Sequence, residues 1–310
     1  MTDSSVAFLF PGQGSQSVGM GRQLYDNVTA ARAVFERIDS SLGRPLTQVM
    51  FDGPEDTLRQ TVNAQPAIMA VSLACLAAME EQLGPEMPRP AFLAGHSLGE
   101  YTALPVAGSL DMENTARLVQ ERGRLMQVAC DMRPGTMAAI LGMDEAVLLE
   151  IARETGTYVS NVNTGEQIVI SGDEAGVKQA MEAAVAKGAK KAIPLKVGGA
   201  FHSGLMEPAR QGLEQAVGNL QFNIPKVPIV ANCTGEPLAT ADGVKRELVA
   251  QITSCVQWKR TIEFMARSGV TKFIEIGPGK ALAGMVKRIA PDAAVISVGD
   301  IEGSQAVQSL

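Results

Sequence analysis

The feature that most constrains the fold is a short apolar run, Ala91 to Ala94, followed by GHSLG at 95–99 and then by mostly helix-forming residues. A strand, Gly-x-Ser-x-Gly and a helix in this order predict a nucleophile elbow, in which glycines allow a sharp turn and close packing. The turn would hold the Ser97 hydroxyl at a helix N-terminus, where unpaired N–H groups favour a developing oxyanion. The alternative is that Ser97 is only a small residue in a tight βα turn.

Composition limits the class of protein. The 310 residues, 46% of them hydrophobic, allow one large domain or two unequal ones, and the net charge of −6 gives no indication of nucleic-acid binding. The amino-terminal MTDSSVAFLF has no basic segment, which argues against a signal peptide. Widely spaced cysteines argue against zinc fingers or a disulfide framework and suit a reducing cytoplasm: Cys75, Cys130, Cys233 and Cys255.

The most apolar stretch, Ala67 to Met79, is shorter than a membrane span and contains Ser72. We interpret it as part of a buried core helix over Asn63 to Leu83, and we expect no membrane association. A second helix is predicted as one continuous element over Gly21 to Leu42.

The glycine-rich turn PGQGSQ at 11–16 follows a predicted strand over Val6 to Phe10. Gly14 and Gly19 have the spacing of a Walker phosphate loop, but Met20 stands where that loop needs lysine. We therefore predict a flexible loop at the carboxyl end of a strand, where open α/β sheets place ligand contacts.

The order of predicted elements indicates an α/β fold with an insertion. Strand, helix, two strands, helix and strand follow one another between 136 and 197, which is the split βαβ order of a ferredoxin-like unit. We expect this small subdomain to span 130–198. Residues 1–129 and 199–310 would form a large α/β-hydrolase-like domain with a mostly parallel sheet.

A serine nucleophile needs a neighbouring base, and the chain has only two histidines. His96 is adjacent to Ser97 and should point away from it, which leaves His202, in a glycine-rich turn at the predicted junction of the two subdomains. The alternative is a junction histidine that only contacts backbone groups. No acidic residue is obviously placed to orient His202, and His-Glu-x-x-His is absent, so a catalytic metal is not expected.

A series of motifs, taken in order, resembles the malonyl-CoA:acyl carrier protein transacylase family, which is related to polyketide synthase acyltransferase domains. Any one of the motifs alone would be unspecific, but the set spans nearly the whole chain. Two departures are Pro105, inside the helix after the elbow, and Ser254-Cys255, where relatives commonly end in proline. The motifs are PGQGSQ (11–16), QPA (65–67), GHSLGEYTAL (95–104), ERGRLMQ (121–127), NVN (161–163), AFH (200–202), VQW (256–258) and EIGPGKAL (275–282).

The resemblance implies a catalytic role for five residues. Ser97 would be the acylated nucleophile and His202 its base, with the backbone carbonyl of Gln251 orienting the imidazole. The backbone N–H groups of Gln13 and Leu98 would form the oxyanion hole.

Further residues would bind the substrate. Arg122 would grip the free carboxylate of a malonyl group, as a planar guanidinium can do through two parallel hydrogen bonds. Gln65 would border the acyl pocket, and Phe201 accompanies malonyl rather than methylmalonyl preference in this family. Asn161 and Asn163 would face the pantetheine end of coenzyme A.

The predicted function is therefore a ping-pong transfer of malonyl from malonyl-CoA, through Ser97, to the phosphopantetheine thiol of an acyl carrier protein, without a cofactor. We expect a cytoplasmic monomer, and leave open whether the carrier serves fatty acid or polyketide synthesis. One alternative is a serine thioesterase or esterase of the α/β-hydrolase type; another is a silent acyltransferase-like module. Basic candidates for carrier docking, or simply a solvated face, are Lys187, Lys190, Lys191, Lys196, Lys287 and Arg288.

Overall fold

The computed structural model describes residues 5–307. The strands, in chain order, are β1 (Val6–Phe10), β2 (Phe92–Gly95), β3 (Thr136–Leu141), β4 (Tyr158–Val162), β5 (Gln167–Gly172), β6 (Lys191–Pro194), β7 (Ile229–Val230), β8 (Pro237–Leu238), β9 (Lys272–Ile276) and β10 (Ala294–Val298). The α-helices are α1 (Arg22–Asn27), α2 (Thr29–Leu42), α3 (Leu46–Asp52), α4 (Glu55–Arg59), α5 (Thr61–Leu83), α6 (Leu98–Val106), α7 (Met112–Met132), α8 (Glu145–Thr155), α9 (Glu174–Ala186), α10 (Glu207–Gly218), α11 (Ala241–Gln251), α12 (Trp258–Arg267), α13 (Ala281–Ile289) and α14 (Ile301–Ala306).

The larger sheet has six strands in the order β10-β9-β1-β2-β7-β8. All its pairs are parallel except that of β7 with β8 at one edge. Every residue of β1 is buried, as expected for a parallel strand covered on both faces. Because β1 and β2 are parallel neighbours with Phe10 opposite Gly95, the glycine-rich loop and the elbow leave the sheet at the same edge.

The smaller sheet has four antiparallel strands in the order β4-β5-β3-β6. Together with α8 and α9 it packs its own apolar core, which includes Ile140, Leu148 and Ile170. This is the ferredoxin-like arrangement, so the predicted α/β fold with a mostly parallel sheet and a small antiparallel unit is confirmed. The loop before α12 joins the two sheets, since Val256 exchanges backbone hydrogen bonds of 2.8 and 2.9 Å with Ser160 and Val162.

Helix α5 is the buried helix predicted from composition. The argument that its apolar stretch is too short to span a membrane is wrong. The segment Thr61–Glu86 is long and apolar enough to cross a membrane by length and composition. However, 89% of its most apolar window is buried inside the protein. Burial, rather than length, supports a core helix here, because the core helix of a soluble protein passes the same test.

The single helix predicted over 21–42 is also wrong. Val28 is extended (φ −123°, ψ 115°) and separates α1 from α2. Its β-branched side chain is buried, so core packing at this position favours an extended residue over a continued helix. Pro105 lies in the last turn of α6, which ends one residue later, since proline lacks the backbone N–H that would continue the helix.

Candidate active site

The elbow between β2 and α6 has the geometry that its sequence predicts. Ser97 has φ 53° and ψ −101°, a strained conformation for a residue with a side chain. A Cβ on Gly95 would lie 1.9 Å from the backbone of Gly99, and a Cβ on Gly99 would lie 2.0 Å from Phe10 O, so both positions require glycine. Asn232 holds the turn: its Oδ1 accepts from Ser97 N at 2.7 Å, and its Nδ2 donates to Gly95 O at 2.7 Å.

His202 lies beside the hydroxyl of Ser97, although 105 positions separate them in the chain. Its Nε2 is 2.7 Å from Ser97 Oγ, and its Nδ1 is 2.9 Å from Gln251 O. A backbone carbonyl only accepts, so the Nδ1 atom carries the proton and Nε2 is left to accept from the hydroxyl. His202 also has a positive φ of 55°, a strained conformation for a residue with a side chain.

The electrostatic environment keeps this imidazole neutral. Burial, and then the positive charge of Arg122, lower the pKa of His202 to about 3. Burial likewise lowers the pKa of His96. Both histidines are therefore neutral near pH 7, which is the form in which Nε2 can act as a base.

Arg122, on α7, has no exposed surface. Its Nη1 donates to Gln65 Oε1 at 2.7 Å, and its Nη2 donates to Gln251 Oε1 at 2.8 Å and to Ser97 Oγ at 3.2 Å. The guanidinium also lies 4.9 Å from the ring centre of Tyr101. Within 5–307, Nε has no hydrogen-bond partner and no carboxylate forms an ion pair with the guanidinium. Amide oxygens and an aromatic ring therefore surround the buried guanidinium, whose Nε–H group can still donate a hydrogen bond.

Two backbone N–H groups near Ser97 lack a hydrogen-bond acceptor among residues 5–307. Neither Gln13 N nor Leu98 N donates a hydrogen bond in the part of the chain that the structure describes. Leu98 is the first residue of α6, whose positive dipole end faces the elbow. Two long hydrogen bonds hold the Gln13 side chain. Gln13 Nε2 donates to Thr61 Oγ1 at 3.4 Å, and Gln13 Oε1 accepts from Gln65 Nε2 at 3.5 Å.

A cavity of about 280 Å³ opens above Ser97 and His202 between the two sheets. Its polar lining comes from the glycine-rich loop, the elbow and the smaller sheet. Its walls are mostly apolar, with Phe201 next to His202, and include Met126, Met137, Val169, Leu195, Val197, Leu282 and Met285. A site with apolar walls and polar groups at its base suits an extended ligand with one reactive end.

Asn161 and Asn163 line this cavity from β4 and the turn after it. They also contact His96, whose Nε2 lies 2.9 Å from Asn163 Oδ1 and 3.5 Å from Asn161 Nδ2. The imidazole of His96 thus points away from Ser97 and connects the elbow to the smaller sheet. Among the described residues, no group of three or more His, Cys, Asp or Glu side chains is arranged to hold a metal ion.

The structure also shows residues that sequence reasoning missed. Asn232 follows β7 and braces the elbow, while Glu100 and Glu247 are buried carboxyl groups behind it. Glu100 stands inside the GHSLGEYTAL motif, which is the one signal that could have drawn attention to it. A lone glutamate in a helical pattern otherwise indicates an exposed position.

Comparison with known proteins places this site in a family. The sequence matches the acyl transferase domain family over residues 7–304. It is 42% identical over 313 aligned residues to the malonyl CoA-acyl carrier protein transacylase of Bacillus subtilis (strain 168), covering 99% of this chain and 98% of that protein. The crystal structure of an acyl-carrier-protein-S-malonyltransferase from Bartonella henselae has a TM-score of 0.94 at 43% identity and covers 98% of both chains. A malonyl-transacylase solved with its type II PKS acyl-carrier protein has a TM-score of 0.94 at 35% identity and covers 99% of both chains. The chain therefore belongs to the acyl transferase domain family and, within it, to the malonyl CoA-acyl carrier protein transacylases.

Proposed function

We propose that this chain transfers a malonyl group from malonyl-CoA to the phosphopantetheine thiol of an acyl carrier protein through a malonyl ester on Ser97. The observation that carries the proposal is the 2.7 Å contact between His202 Nε2 and Ser97 Oγ, with Arg122 Nη2 3.2 Å from the same hydroxyl. A base and a cation thus both contact the nucleophilic oxygen, Ser97 Oγ.

In the first half of the reaction, His202 Nε2 takes the proton of Ser97 as Oγ attacks the thioester carbonyl. The oxyanion is held by the N–H groups of Gln13 and Leu98, and losing one such donor typically costs about a hundred- to a thousandfold in rate. The imidazolium then protonates the departing coenzyme A thiolate. In the second half, His202 accepts the proton of the carrier thiol, which attacks the ester and releases Ser97 as its hydroxyl.

Arg122 would bind the malonyl carboxylate. Its Nε has no partner among the described residues, and an anion next to the nucleophile would take this donor and replace Ser97 Oγ as an acceptor of Nη2. An acetyl group would leave that buried cation without an anion, and selectivity of this kind reaches about four powers of ten. Gln65 would hold Arg122 at the edge of the acyl pocket, and the Phe201 ring would fill the space that an α-methyl group needs.

We propose the roles of the other site residues, and the organisation of the chain, on the same basis. Gln251 would orient His202, and Asn161 and Asn163 would meet the pantetheine arm where it passes along the cavity. The chain needs no cofactor for this chemistry, and we propose that it acts as a cytoplasmic monomer. Its two sheets support a division into a subdomain at 130–198 and a larger domain formed by 1–129 and 199–310.

Transfer and hydrolysis can be separated in one assay. Given malonyl-CoA and excess carrier protein bearing its phosphopantetheine arm, the chain should load the carrier thiol and release little free malonate, because the second acceptor is a thiol. Carrier protein without the arm is the control and should stay unmodified. Free malonate as the main product would support the serine hydrolase, and carrier binding without turnover would support the silent module.

Carrier docking is expected to use the lysines of the smaller sheet that have no acidic partner. Lys187 and Lys190 are paired with Glu154 and Glu166 at 3.5 and 3.2 Å, which reduces their value for docking. Exposed Lys191 and Lys196 form no ion pair within 5–307. Lys196 also stands in the chain between Leu195 and Val197, which line the cavity.

The double variant Lys191→Glu/Lys196→Glu should raise the KM for an acidic carrier protein by about tenfold at low salt, with a smaller effect at high salt. Steady-state kinetics at varied carrier concentration measure this change. Lys187→Glu is the matched control and should change the KM much less. An unchanged KM in the double variant would exclude this patch as the docking surface.

A further inference from the structure

Two buried carboxyl groups lie directly behind the elbow. Glu100 on α6 is 1% exposed and Glu247 on α11 is 7% exposed. Burial, and then the charge of Glu247, raise the pKa of Glu100, while burial raises the pKa of Glu247.

The hydrogen bonds of the two carboxyl groups differ. Both oxygens of Glu100 accept from N–H groups, Oε1 from Asn232 N at 2.8 Å and Oε2 from Gln251 Nε2 at 2.5 Å. Glu247 Oε1 accepts from Cys233 N at 2.8 Å. Of these two glutamates, Glu100 is therefore the one that contacts Gln251.

The acceptors around Gln251 determine which way its side-chain amide faces. The amide nitrogen donates to Glu100 and to Ser97 O at 2.9 Å, and the amide oxygen accepts from Arg122 at 2.8 Å. The flipped amide would present its oxygen to two acceptors and its NH₂ to a cation, so every contact would become repulsive. The same residue contributes the backbone oxygen that contacts His202 Nδ1.

We propose that Glu100 is a positioning residue that fixes the Gln251 amide between Arg122 and His202. Glu100 touches neither substrate nor the reacting atoms and acts through Gln251 and Asn232. The inference rests on the proposed function, because the positions it protects are those of the acyl transfer.

Replacement of glutamate by glutamine should lower the rate of Ser97 acylation at position 100 but not at position 247. In Glu100→Gln one side-chain oxygen becomes an NH₂ group, so either Asn232 N or Gln251 Nε2 loses its acceptor. The rate of Ser97 acylation should fall about ten- to a hundredfold, as for a buried donor left without its acceptor. In Glu247→Gln the amide oxygen still accepts from Cys233 N, so the rate should stay within about threefold of wild type.

Rapid-mix measurement of acylation by malonyl-CoA, followed by intact mass, tests this asymmetry on the full chain, with thermal melting to check folding. A purely structural role for the pair would make two equally buried, isosteric variants lose activity equally, and that result would overturn the proposal. If wild type is not acylated at all, the proposed function fails instead. If wild type is acylated and Glu100→Gln reacts as fast, only the positioning role fails.

Discussion

Incubation with malonyl-CoA alone should add one malonyl group to the wild-type chain and none to Ser97→Ala. The expectation follows from the elbow, which presents Ser97 Oγ to His202 Nε2 at 2.7 Å and leaves the covalent ester in place until a thiol arrives. Intact-mass measurement before and after incubation detects the addition, and peptide mapping locates it. His202→Ala should acylate about a hundred- to ten-thousandfold more slowly, because the hydroxyl loses its base.

A matched control comes from a serine outside the site. Ser109 is also buried, and its Oγ donates to Asn223 O at 2.9 Å, so Ser109→Ala should leave acylation intact. An unmodified wild-type mass, combined with normal transfer to carrier protein, would contradict the ping-pong scheme. It would then favour direct attack of the carrier thiol on malonyl-CoA.

The sequence predicted the elbow well because its determinants are local. Gly95 and Gly99 are required by backbone atoms within a few positions of Ser97 or on the neighbouring strand. The pairing of His202 with Ser97 was also accessible, since a chain with two histidines offers few candidates for a base. The alternating order of strands and helices predicted the parallel sheet and the antiparallel insertion for the same reason, as each element is encoded in its own segment.

What the sequence could not predict depends on tertiary contacts. The break at Val28 follows from core packing, and β10 was not predicted. Asn232 and Glu247 lie more than a hundred positions from the elbow in a chain without distinctive local patterns around them. Their roles become visible only when α11 and the loop after β7 pack behind α6, where buried polar groups must find partners.

The second large effect is expected at Arg122, where the substitution should change substrate choice as well as rate. In Arg122→Ala, transfer of malonyl should fall by about a thousandfold or more while transfer of acetyl holds or rises, since only the malonyl group carries an anion for the guanidinium. Parallel measurement of kcat/KM with malonyl-CoA and acetyl-CoA gives the ratio directly. Arg117→Ala is the control on the same helix and should leave both rates unchanged, because that exposed side chain donates a hydrogen bond to Asn114 at 3.0 Å and lies outside the site.

Arg122 also supports the site, so the two roles must be distinguished. Its Nη atoms hold Gln65 and Gln251 at 2.7 and 2.8 Å, and a general collapse of these contacts would lower both transfers together. Equal losses with malonyl and acetyl would therefore assign Arg122 a supporting role and refute carboxylate recognition. Arg122→Lys sharpens the test, because it keeps a cation but loses the planar fork that binds a carboxylate through two hydrogen bonds. If the fork matters, the lysine variant should recover only part of the malonyl rate; full recovery would mean that charge alone selects the substrate.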